Sequence, residues 1–190
     1  KMNLMNKFIE LNAQMYASNQ RLTASHPYSS KWYTWPFMVR PIYYWVEDNA
    51  RIYFLGNPLI WWASTVAVLY CLLFMAYGLW QRFWQKIKNK NELSFIIRGP
   101  LAILGIGYLL NMIPFIGIKR VMFLYHYLTA LIFAIIILVY FIDRSEQKKK
   151  IFFTLLALAA ISFIYFAPLT YGLKLSPQSY RQHLWLQTWE

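Results

Sequence analysis

The residues best placed to do chemistry in this chain gather near the start of one apolar run. Lys119 and Arg120 are adjacent cations placed immediately before Val121–Ile142. A helix starting there presents free backbone N–H groups and the positive end of its dipole, which favour an anion. Helical spacing puts positions 119, 123, 126 and 130 on one face, so Lys119, Phe123 and His126 are expected to point the same way. The implied geometry is a phosphate held at the mouth with an imidazole beneath it. The plainer alternative has both cations binding lipid headgroups and His126 satisfied by a neighbouring helix. Asn111 adds a polar group inside an apolar run, where such groups are costly, with Tyr108 a turn earlier and Pro114 just after.

Other chemistries find little support. His26, His126 and His183 lack any short ligand spacing, so no metal site is expected. Glu47 and Asp48 are neighbours in sequence and would diverge on a helix or strand, which makes them a poor catalytic pair. No phosphate-binding glycine loop, dinucleotide fingerprint or nucleophile elbow occurs.

The elements that must position these residues are four apolar runs: Pro58–Trp80, Phe95–Ile113, Val121–Ile142 and Ile151–Leu169. Each is about 20 residues, enough for a helix to cross roughly 30 Å of hydrocarbon. The first, third and fourth hold no charged residue, and the second holds only Arg98 near its start, where it can snorkel. The expected fold is all-α: a polytopic membrane protein with spans over 58–80, 95–113, 121–142 and 151–169. The composition agrees, with 59% hydrophobic, 20% aromatic and only 14% charged residues.

The net charge of +12 is split among membrane edges, which argues against nucleic acid as a partner. Arg82, Lys86, Lys88 and Lys90 follow the first run, and Arg144, Lys148, Lys149 and Lys150 follow the third, while the loop between the second and third carries only Lys119 and Arg120. Short loops rich in Lys and Arg mark the cytoplasmic face. Residues 1–57 and 170–190 are therefore expected outside. The lack of cysteine in these outer segments and the short loops lean towards a bacterial plasma membrane; Cys71 falls mid-span as a small hydrophobe. The opening on Lys1 with no hydrophobic leader reads as a piece of a longer protein.

Residues 3–22 read as an amphipathic interfacial helix, with Leu4, Phe8, Leu11 and Met15 as its apolar stripe. Residues 25–57 suit no regular element, given the turn formers and proline breaks of Ser25–Ser30 and Trp35-Pro36. Their dense aromatics, among them Tyr28, Trp32, Trp35, Tyr43 and Trp45, form either an interfacial belt or a loop folded back onto the helix bundle. Gly56-Asn57-Pro58 opens the first span, followed by Trp61 and Trp62 at its outer end.

Together these motifs resemble the protein O-mannosyltransferases. The resemblance is carried by His26-Pro27-Tyr28-Ser29-Ser30 with Trp35-Pro36 and Arg40-Pro41, then Gly56-Asn57-Pro58 with Trp61-Trp62. It continues through Gly107-Tyr108, Asn111, Pro114-Phe115, Arg120, the run Phe123–Leu128, and Thr170-Tyr171-Gly172. The order is right and nearly the whole chain is covered. Thr129 departs from the pattern, standing where family members commonly have proline.

The resemblance implies the carboxy-terminal four-span region of a larger membrane-embedded glycosyltransferase. Such enzymes transfer mannose from a polyprenyl- or dolichyl-phosphate donor to Ser or Thr hydroxyls of an acceptor protein on the outer or lumenal side. The donor is a substrate, and no cofactor is implied. The family's acidic catalytic motif lies in a first external loop near the amino terminus. No catalytic residue is therefore expected in this segment, which needs the amino-terminal part of the same enzyme to work. Within it, Lys119, Arg120 and Arg40 are candidates for the donor phosphate, and His26, Tyr28, Asn111 and His126 for hydrogen bonds to phosphate or sugar. Alternatives are a related transferase with a lipid or glycan acceptor, a non-catalytic membrane assembly factor, and a small transporter. The last requires polar residues along the bundle centre, where spans one, three and four are apolar.

Overall fold

The computed structural model describes residues 3–22, 25–84 and 99–190. Lys86, Lys88, Lys90, Arg98 and the first turn of the expected second span lie outside the described residues. The architecture is helical, with one small hairpin. Helix α1 spans Leu4–Arg21, strands β1 and β2 span Ile42–Glu47 and Ala50–Phe54, and α2 spans Pro58–Trp84. Then follow α3 over Pro100–Met112, α4 over Leu128–Asp143, α5 over Lys148–Tyr171 and the short α6 over Pro177–His183.

Three stretches are long and apolar enough to cross a membrane: Pro58–Gln81, Leu124–Asp143 and Lys148–Tyr171. The fourth apolar helix, Pro100–Phe115, is shorter within the described residues. Helix α4 is the centre of the bundle, packed on α2 and α3, while α5 leans on β2 and α2. Small residues set the close approach. Ala130 and Ala134 on α4 are fully buried, and a Cβ added to Gly107 on α3 would lie 2.4 Å from the Phe133 ring. Leucine-sized residues at those positions would force the helices apart.

Residues 25–57 contain regular elements where the sequence reading expects none. Trp32–Phe37 forms a 3₁₀ turn, and Ile42–Phe54 forms an antiparallel hairpin with an irregularity between Tyr43 and Trp45. The hairpin reverses at Asp48, whose φ of 50° is the left-handed conformation that aspartate tolerates. This ordered cap is held by side-chain donors aimed at successive carbonyls. Trp61 Nε1 donates to the Trp35 carbonyl at 2.8 Å, Thr65 Oγ1 to Pro36 at 2.5 Å, and Trp62 Nε1 to Phe37 at 3.0 Å. Trp189 Nε1 donates to Met38 at 2.9 Å, and Thr188 Oγ1 to Val39. At the buried Trp35 and Met38 such partners are required, because water cannot supply them.

The carboxy-terminal segment closes the same end of the bundle. Gly172 ends α5 in a left-handed conformation with φ 67°, and Leu175 N–H then bonds the Asn49 carbonyl at 3.0 Å. Tyr53 and Tyr180 share a hydroxyl–hydroxyl bond of 2.6 Å, and Arg51 sits 4.0 Å over the Tyr180 ring. His183, 6% exposed, stacks on Tyr165 and places Nδ1 2.7 Å from the Ser179 carbonyl and Nε2 2.8 Å from that of Tyr165. The lysine-rich turn after Asp143 lies at the far end of α4, about 24 Å away at 1.5 Å per residue over its 16 residues.

Candidate functional site

The site is assembled from two loops at the capped end of the bundle. The first, residues 25–31, turns at Pro27–Tyr28, with Ser29 N–H bonding the His26 carbonyl at 3.0 Å. The second, residues 116–123, leaves α3 through the 3₁₀ turn Ile113–Phe115 and reverses at Gly117, whose φ is 83°. Ser30 N–H donates to the Met122 carbonyl at 2.8 Å and ties the two loops together. Gln20 at the end of α1 adds a bond to the Gly117 carbonyl at 2.9 Å.

Between the loops lies a cleft of about 500 Å³. Its walls include Ser25, Ser29, Trp32 and Phe115, and its charged lining is Lys31, Lys119 and Arg120 with no aspartate or glutamate. The ion pairs among the described residues, Lys148–Asp143 and Lys174–Asp48, lie elsewhere. Unpaired cations facing one cavity repel each other and raise the local concentration of anions. The cleft is thus an anion-attracting recess at one end of a membrane bundle.

The helical face expected for Lys119, Phe123 and His126 does not form. Lys119, Arg120 and Phe123 precede the helix: Phe123 is extended (φ −136°, ψ 162°), a 3₁₀ turn covers Leu124–Tyr127, and α4 begins only at Leu128. The Met122 carbonyl is given to Ser30 instead of to a helical N–H, so tertiary pairing displaces the helix start. The cations therefore sit on a loop, without a helix N-terminus beneath them.

The other candidates are distributed unevenly. His26 packs its ring 5.1 Å from Phe123 and 5.7 Å from Tyr28, whose N–H donates to His26 Nδ1 at 3.2 Å. Both belong to the loop that walls the cleft but do not line it, and Tyr28 leans onto Tyr43 of the hairpin. His126 lies behind the wall, parallel to Trp35 at 5.7 Å and edge-on to Phe115 at 5.5 Å. Its Nδ1 is committed to the Phe123 backbone, 2.9 Å from the carbonyl. Asn111 spends its amide on the Gly107 carbonyl of its own helix at 2.8 Å and does not line the cleft. Arg40 is also absent from the lining, and its Nε is buried without a partner among the described residues. Lys31 escaped the sequence reading; a cation directly after the Tyr28-Ser29-Ser30 turn was the available signal.

Fold and cleft together define a multi-pass membrane protein with a cation-lined cleft at one end. The family model for the C-terminal four TMM region of protein-O-mannosyltransferase matches residues 4–189. Dolichyl-phosphate-mannose–protein mannosyltransferase 1 of Saccharomyces cerevisiae is 30% identical over 98% of this chain and 24% of its own length. Protein O-mannosyl-transferase 1 of Danio rerio is 31% identical over 98% of this chain and 28% of its own. The solved S. cerevisiae protein O-mannosyltransferase Pmt1-Pmt2 complex bound to the sugar donor superposes on the whole chain with a TM-score of 0.77 at 30% identity, covering 27% of the matched chain. The chain belongs to the protein O-mannosyltransferase family. It spans about a quarter of the length of these relatives.

Proposed function

We propose that this chain is the carboxy-terminal, donor-binding and scaffold part of a membrane enzyme that moves mannose from a polyprenyl- or dolichyl-phosphate carrier to Ser or Thr hydroxyls of proteins. The names of the relatives and the family match support the reaction. The observation that carries the role of this segment is the acid-free cleft between residues 25–33 and 115–122, with Lys119 and Arg120 on its rim. In this reading those two side chains hold the donor phosphate, a job for charge-assisted hydrogen bonds. His26 and Tyr28 border the sugar side, while Arg40, Asn111 and His126 act by shaping the cap and the wall. Residues 1–57 and 170–190 face the outer or lumenal side, where the acceptor protein arrives. The eukaryotic relatives give a bacterial plasma membrane no support, so the placement retained is multi-pass and integral.

The transfer needs a base for the acceptor hydroxyl, and in this reading the amino-terminal part of the enzyme provides it as a carboxylate. In the full-length enzyme, Arg120→Ala is expected to raise the apparent KM for the lipid-linked donor, or lower turnover, by about tenfold, the low end for a hydrogen bond to a charged group. Steady-state kinetics over a donor series in membranes makes the test. Unchanged KM and kcat would remove the phosphate role.

A further inference from the structure

From the convergence of Lys31 with Lys119 and Arg120, we infer that the cleft is built to recognise the doubly charged lipid phosphate released by transfer in preference to the singly charged donor. The inference rests on the mannosyl-transfer reading above and names the form of ligand that the site selects.

Lys31 is fixed at its root. Its carbonyl accepts the Thr34 N–H at 2.9 Å and the Thr34 hydroxyl at 2.7 Å, so its backbone caps the 3₁₀ turn that carries Trp35. The neighbouring Ser30 is tied to Met122, two residues beyond Arg120. The backbone of Lys31 is thus held beside the second loop by one backbone bond and one cap, and its side chain lines the same cleft as Lys119 and Arg120. Its ammonium lies 6.0 Å from the Tyr33 ring and has no carboxylate partner among the described residues.

The charge arithmetic then decides what such a cleft prefers. During transfer the acceptor hydroxyl oxygen bonds to the anomeric carbon of mannose, and the bond from that carbon to the phosphate oxygen breaks. The bonding pair stays on the phosphate oxygen, and the hydroxyl proton leaves to a carboxylate of the amino-terminal part. A phosphodiester carrying one negative charge becomes a monoester carrying about −1.5 to −2 at pH 7. In the donor reading the cations Lys119 and Arg120 meet the single charge of the diester. A third, acting at longer range, gains most where the extra charge appears, which is on the leaving group. Interactions that strengthen as that charge develops act on the reaction itself and not just on donor capture.

The test uses the full-length enzyme in zwitterionic nanodiscs. The readouts are KM for the mannosyl-phosphate donor, Ki for the corresponding polyprenyl monophosphate, and Ki for phosphatidic acid. Lys31→Gln is expected to raise the monophosphate Ki about three- to fivefold, the range of an exposed charge pair, and the donor KM less than twofold. Lys31→Arg should restore the wild-type ratio. The side chain is exposed, so both variants are expected to fold, and a thermal midpoint within the wild-type range confirms it. An unchanged ratio in Lys31→Gln, with Arg120→Ala still raising donor KM, overturns the third-cation inference and leaves the donor reading standing. No response to either substitution overturns both. Phosphatidic acid inhibiting as strongly as polyprenyl phosphate, with equal sensitivity to Lys31, reassigns the cleft to a general lipid-headgroup site and also overturns the inference.

Discussion

Trp61→Phe isolates the device that holds the aromatic cap on the bundle. Trp61 is 2% exposed, donates to the Trp35 carbonyl at 2.8 Å and lies 5.3 Å from the Tyr127 ring. Phenylalanine keeps an aromatic ring but loses the N–H and part of the indole. The Trp35 carbonyl still accepts Met38 N–H at 2.9 Å, so the lost bond counts at the low end, about 1 kcal/mol. A void of roughly 40 Å³ at about 24 cal/mol per Å³ adds ~1 kcal/mol. The sum is about 2 kcal/mol. Trp62→Phe is the internal control, because its equivalent bond to the Phe37 carbonyl is solvent-exposed and water can replace the indole. That change is expected to cost ~0.5 kcal/mol. Both variants go into the full-length enzyme, and thermal unfolding is followed by tryptophan fluorescence and by loss of transfer activity. Trp61→Phe should lower the midpoint by a few degrees and Trp62→Phe by about one. Equal effects from the two would refute the claim that the buried bond to the Trp35 carbonyl anchors this cap more firmly than the exposed one to Phe37.

Two further expectations concern the carboxy-terminal closure. Burial, then the bond to Tyr180, pushes the Tyr53 phenol well above its ordinary value near 10. Its stabilising contribution is therefore complete below pH 10 and is lost as pH rises beyond it. The stability advantage of wild type over Tyr53→Phe should hold from pH 8 to about pH 10 and shrink from there to pH 11 in thermal melts, and a constant gap across that range would contradict it. His183→Phe preserves stacking on Tyr165 while removing the one ring N–H that a neutral imidazole gives to the Ser179 or the Tyr165 carbonyl, a cost of about 1 kcal/mol. Hydrogen exchange over residues 177–189 should accelerate in that variant, and wild-type protection would show that the stacking alone holds the segment.

The long apolar runs were readable because hydrocarbon thickness imposes a length on them that no loop imitates. What the runs could not reveal was where tertiary pairing overrides local preference. Ile42–Glu47 is rich in aromatic and β-branched residues and is followed by Asp48-Asn49, an ordinary hairpin signal. It was masked because the same aromatics equally suit a membrane belt. Trp61 and Trp62 look alike in sequence, yet one is core and the other half-exposed. Only the position of the 3₁₀ turn across from them decides which.

The displaced start of α4 shows how little the misreading costs the site itself. A helical Lys119 would have owed its anion preference to a dipole that fades within a turn. On the loop its place is set by tertiary geometry instead: Gly117 reverses the chain, Ser30 holds Met122, and Lys31 lines the same cleft from the other loop. Charge that is positioned by loop-to-loop bonds responds to any movement of the cap, and the cap is fastened by donors from α2 and from the last residues of the chain. If the cleft holds the donor phosphate as proposed, loosening Trp189 should raise the donor KM at a distance, through Met38 and the Trp32–Phe37 turn that Lys31 caps. The physical unit of the site is the cleft together with its cap, more than any single span.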